Sequence, residues 1–189
     1  MFSLAFSGSC STDVGHGGDR VDSGVDEDEL AGICRPTIFG YAATGSSGHF
    51  TIGTPIEYAS NPPSFGGHYP VWYKWARVYD EPVPRPFYVH NLEHGGVVFL
   101  YSCDPPCPDI VGKLESVARG LRQDPLCSPQ INARWLVTPD PLLPLGVKVA
   151  ASAWGFTYTS TCVGPQLAIF ANKHIANGPE DLCGDGALP

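Results

Sequence analysis

Five apolar residues in succession, Val97-Val98-Phe99-Leu100-Tyr101, give the clearest hydrophobic signal in the chain. A run that short, with no polar alternation, predicts a strand buried on both faces. Beyond it, Pro108 and Asp109 open a segment in which Ile110, Leu114, Val117, Ala118 and Leu121 recur at helical spacing. That pattern predicts a helix over 109–122 with one apolar face, and Arg119 and Arg122 suit the negative end of its dipole. Asn132 to Thr138 and Val147 to Trp154 read as two further strands, joined by a turn from Pro139 to Pro144. Gly164-Pro165 starts a second helix that runs to about Ala176 and is stopped by Asn177-Gly178-Pro179. Its apolar face carries Leu167, Phe170, Ala171 and His174, so His174 is predicted to point inward. Upstream, 37–43 and 49–58 read as short strands or extended arms around the turn Gly45-Ser46-Ser47-Gly48. The elements together predict an α+β fold. Its small, mostly antiparallel sheet is built around 97–102, 133–138 and 147–154, with both helices packed on one face.

Composition changes this picture at the edges. With 22 glycines and 19 prolines the domain is predicted to be rich in loops. A formal charge of -8 excludes the basic stripe that nucleic-acid binding needs. No apolar run is long enough to span a bilayer. Residues 11–33 are mostly Gly, Ser and acidic groups, which predicts a flexible acidic tether ahead of one globular domain over 34–189. Before the tether, Phe2 to Ser9 followed by Cys10 resembles the end of a lipoprotein-type signal, too short to be complete. The expectation is a remnant signal over 1–10 and a lipid anchor on Cys10. Setting Cys10 aside leaves six of the seven cysteines, enough for three disulfides whose connectivity stays open. Such pairs suit an extracytoplasmic compartment, the periplasm or cell envelope.

The candidate chemistry sits just before the buried run. His90 and His94 are four apart, the spacing at which two imidazoles on one helical turn hold a metal ion. Pro84 and Pro86 suit the start of that turn, and Gly95 suits a left-handed end. His-x-x-Glu-His is also the inverted-zincin order, in which Glu93 would be the catalytic base. Asn61-Pro62-Pro63-Ser64-Phe65-Gly66-Gly67-His68 is a rigid loop that presents His68, and Trp72, Tyr73, Trp75 and Tyr79 form an aromatic patch after it. Cys103-x-x-x-Cys107 offers a thiolate pair, although nearby Cys127 favours disulfide formation.

Several of these stretches resemble the bacterial domain of unknown function 3105 family. They are Asn61 to Tyr69, Val78 to Pro84, His90-Asn91-Leu92-Glu93-His94-Gly95-Gly96-Val97, Ala153-Trp154-Gly155 and Phe170 to Glu180. The resemblance covers about 57–181; Phe65 and Gly67 stand where serine and proline are common. It implies domain limits and motif membership, and no chemistry. His68, His90, His94 and His174 lie in the motifs, whereas His16 and His49 are expected to stay apart.

The sequence therefore points to one transition ion held by His68, His90, His94 and His174. Imidazole ligands suit zinc or copper, and a thioether copper(I) site is excluded because the only methionine is Met1. The rivals are a zinc hydrolase using Glu93, and a metal-free interaction module with a structural histidine network.

Overall fold

In a computed structural model describing residues 34–43 and 47–189, six strands pair into one mixed sheet. They are β1 (Thr37–Gly40), β2 (Arg77–Val78), β3 (Val97–Tyr101), β4 (Trp135–Pro139), β5 (Val149–Ala153) and β6 (Phe156–Ser160). The helices among the described residues are α1 (Arg85–Glu93), α2 (Pro108–Arg119) and α3 (Pro165–His174). The strand order is β1-β6-β5-β3-β4-β2. The β1–β6, β6–β5 and β5–β3 pairs are antiparallel, while β3–β4 and β4–β2 are parallel. The parallel step follows from α2, which carries the chain back to the starting edge before β4 begins.

β3 lies in the middle, and its alternation divides the core. Val97 and Phe99 join Trp135, Val137 and Ala151 beneath Leu114 and Ala118 of α2 and Leu167 and Phe170 of α3. Val98 and Leu100 face the other way, with Leu136 and Ala150, against Tyr88, Val89 and Leu92 of α1. Successive strand residues point to opposite faces, so α1 and α3 lie on opposite sides of the sheet.

Three disulfides tie the domain together: Cys34–Cys162, Cys127–Cys183 and Cys103–Cys107, with sequence separations of 128, 56 and 4. By loop-closure entropy the first two stabilise by ~5 and ~4 kcal/mol and the last by only ~2 kcal/mol. Residues 1–33, which hold the expected signal remnant, the tether, His16 and Cys10, lie outside the described residues. No helix among the described residues is long and apolar enough to cross a membrane.

Two expectations change. The 49–58 segment pairs with the rest only through a parallel bridge between His49 and His68. The strand expected to end at Trp154 instead turns there, and Ala153 pairs with Phe156 across Trp154-Gly155 to begin β6. Gly155 has φ of +74°, which a glycine adopts without strain.

Candidate metal centre

α1 begins where Pro84 and Pro86 favour helical entry, and from Tyr88 to Glu93 every residue is buried. Glycine ends it: Gly95 has φ of +77°, and a Cβ on Gly96 would strike the Trp75 ring. Asn91 fastens the helix to the aromatic segment. Its Nδ2 donates to the Tyr73 carbonyl at 2.8 Å and its Oδ1 accepts from the Tyr73 amide at 3.1 Å. The C-terminal carbonyl of His94 accepts from Arg134 Nη1 at 2.6 Å. Arg134 is itself fully buried and also bonds Asp124 and Asp181. A cation at a helix C-terminus opposes the dipole there. The sequence reading did not single out Arg134, because nothing local to Ala133-Arg134-Trp135 predicts a buried charge.

His90 and Glu93, three apart on one face of α1, point into a shared space with His68 and His49. One donor atom from each of the four lies within 4.8 Å of the other three. His68 Nε2 is 2.8 Å from Glu93 Oε2, and His49 Nε2 is 4.0 Å from the same oxygen. The Ser47 amide donates to the other oxygen, Oε1, at 3.2 Å. His68, His90 and Glu93 are buried, while the His49 side chain is half exposed and forms the solvent side.

Tautomers follow from the backbone. His90 Nδ1 is 2.6 Å from the Tyr69 carbonyl, and His68 Nδ1 is 3.0 Å from the Gly66 carbonyl. A carbonyl only accepts, so each Nδ1 carries a proton; Nε2 is then the ligating atom of His90, while His68 Nε2 faces the Glu93 carboxylate. His68 Nε2 has no partner in hydrogen-bonding geometry despite its contact with Glu93. Burial lowers the pKa of His90 to about 4, so its imidazole is neutral at physiological pH. Neutral imidazoles held through Nδ1–H by an outer acceptor are the form in which histidine ligates metals.

The expected ligands His94 and His174 are placed differently. His94 falls at the C-cap of α1, outside the four-residue group, although its ring centroid is 4.7 Å from that of His90. Its ring packs against Trp72 with centroids 4.5 Å apart and planes tilted by 57°, and its Nδ1 stands 3.5 Å from Glu180 Oε2. The His94 amide still donates to the His90 carbonyl at 3.2 Å and the two rings share a face against Trp72, but Trp72 and Glu180 hold the His94 ring away from the other donors. His174 points inward as its phase predicts, but α3 covers the other side of the sheet. It packs between Phe156 and Phe170, with centroid distances of 4.0 and 4.8 Å, and burial lowers its pKa. His49, expected to stay apart, instead lies in the group. The signal that brings it in is the bridge to His68, reinforced by the Phe50 amide donating to the His68 carbonyl at 2.7 Å. A second group, Asp124, Cys127 and Cys183, is no metal site, since its two sulfurs form a disulfide and offer no thiolate.

A family model described as "Protein of unknown function (DUF3105)" matches residues 49–184, a span that begins at His49 and takes in the whole cluster. No curated protein and no solved structure matches the chain.

Proposed function

The chain belongs to the DUF3105 family, and because that description assigns no activity, we propose from the site itself that the domain binds one zinc or copper ion through His49, His68, His90 and Glu93. One observation carries the reading. Two buried imidazoles commit Nδ1–H to backbone carbonyls, and with a third imidazole they converge on a buried carboxylate, His68 Nε2 already 2.8 Å from Glu93 Oε2. Three nitrogens and one carboxylate oxygen make a donor set for zinc or copper and a poor one for calcium or magnesium. The present span of up to 4.8 Å exceeds the ~3.4 Å edge of a tetrahedral site with bonds near 2.0–2.1 Å, so loading draws the donors inward. Half-exposed His49 is the ligand free to make that movement.

Four protein donors fill a tetrahedral shell, which suits holding or delivering an ion rather than activating water. The hydrolase alternative is less well supported. An inverted zincin needs both histidines of His-x-x-Glu-His on the metal, and His94 is outside the group, while Glu93 stands among the ligands. The disulfides support an oxidising compartment outside the cytoplasm.

The test is to titrate the metal-free protein with Zn²⁺ or Cu²⁺ and record the X-ray absorption of the loaded form. One ion per chain with only nitrogen and oxygen donors is expected, three of them imidazoles. Absence of uptake would leave the histidines and Glu93 as a structural network, and sulfur in the shell would place the ion elsewhere.

A further inference from the structure

We propose that Cys103–Cys107 is a redox-active pair that exchanges disulfides with dithiols, at a site separate from the metal centre. The two sites lie at opposite ends of β3. The metal group precedes Val97 and the cysteine pair follows Tyr101, so the length of the strand, ~17 Å, separates them.

Position is the first argument. Cys103 follows the central strand, and Cys107 is the N-cap residue of α2, which crosses over to the parallel strand β4. Paired cysteines at the start of the helix of a β-α-β unit are placed for thiol–disulfide exchange, because the helix N-terminus stabilises a thiolate. No side chain caps α2; Pro108 has no amide and those of Ile110 and Val111 donate to the Cys107 carbonyl, which leaves the Asp109 amide at the helix start. Span is the second argument. Cys34–Cys162 and Cys127–Cys183 join segments 128 and 56 residues apart, as structural staples do. Cys103–Cys107 closes a loop of separation 4 and constrains the unfolded chain least. Access is the third. Both cysteines are only partly buried and line a cleft of about 660 Å³ with Asp80, Tyr101, Val111 and Glu115.

The step balances as follows. A thiolate of an incoming dithiol attacks Cys103 Sγ; the Cys103–Cys107 bond breaks and Cys107 leaves as the thiolate at the helix N-terminus. The second thiolate of the dithiol then attacks its own sulfur in the mixed disulfide, and Cys103 leaves. The dithiol is oxidised to a disulfide, the protein pair is reduced by two electrons, and the two protons end on Cys103 and Cys107. Cys107 is the better leaving group because of its place at the cap. Asp80 and Glu115 line the cleft and Asp104 lies between the two cysteines in the chain, so the favoured dithiol lies on a neutral or basic segment.

The experiment uses the full chain with Cys10 alkylated beforehand. Dithiothreitol is added, thiols are trapped at intervals, and peptide mass spectrometry locates them. Cys103 and Cys107 should be reduced together, at least tenfold faster than the other four, with circular dichroism unchanged. The oxidised protein should then turn over a basic dithiol peptide many times when glutathione disulfide regenerates it. C107S should trap the oxidised peptide on Cys103, and C103S/C107S should lose the turnover. Reduction no faster than at the other two disulfides overturns the proposal. So does fast reduction with no turnover above that of C103S/C107S, since the bond is then only an exposed staple.

Discussion

At Glu93 a single substitution separates ligand from bystander. Glu93→Gln keeps the shape and removes the charge. Were Glu93 an outer partner of an imidazole, the loss of affinity would be ~10–100-fold; as a ligand it should exceed that range, read by calorimetric titration. His174 carries the opposite prediction. Its folded pKa is lowered by burial, so the unfolded chain binds a proton that the folded chain refuses. Stability is therefore full above the ordinary histidine pKa of ~6.5 and falls as pH drops below it. His174→Phe should reduce the acid slope of the urea-midpoint profile, leaving the part due to buried His90 and His94, and Zn²⁺ affinity should stay unchanged; an undiminished slope in the variant would contradict the assignment. His68, His90 and Glu93 were legible at this scale, because a proline-glycine loop and a helical turn announce them locally. His49 was not, since a single backbone bridge from a distant segment brings it in. His94 lies beside His90 as its spacing predicts, but its neighbours Trp72 and Glu180, distant in sequence, leave it outside the four-residue group.

Among the elements, α1 does most to position the site, and its glycines say how. A Cβ on Gly178 would collide with the Glu93 carbonyl and the Gly95 amide, both backbone atoms that cannot yield without moving the end of α1. Gly178→Ala should cost ~1–3 kcal/mol by overpacking and weaken metal binding as well, because Glu93 shifts; denaturant midpoints and titration of the same sample check both. The helices 109–122 and 164–176 were legible from their apolar spacing and lie within a few residues of α2 and α3. Buried β3 was legible from its unbroken apolar run. β6 went unrecognised although Phe156-Thr157-Tyr158-Thr159 alternates aromatic and β-branched polar residues, a strand signal in its own right. The parallel pairing of β3 with β4 is a property of how α2 crosses over, which no local pattern encodes.

For the whole molecule, the two long-range disulfides matter most. Removing Cys34–Cys162 with paired serines should cost ~2–5 kcal/mol in urea unfolding, and the same change at Cys103–Cys107 should cost less. Mass spectrometry of protein from its native source should find all six domain cysteines paired and Cys10 lipid-modified; reduced cysteines would place the protein in a reducing compartment. That six cysteines pair was legible from their number, whereas their connectivity depends on how distant segments meet. The face of the sheet that each helix covers was equally out of reach, which is why His174 was expected at a site on the opposite side.

The most direct test of the metal centre sets His49→Ala beside His174→Phe in calorimetric titrations of the metal-free protein with Zn²⁺. The account predicts one ion per wild-type chain, a loss of more than ~100-fold for His49→Ala, and wild-type affinity for His174→Phe. Binding that survives in His49→Ala and disappears in His174→Phe would contradict it.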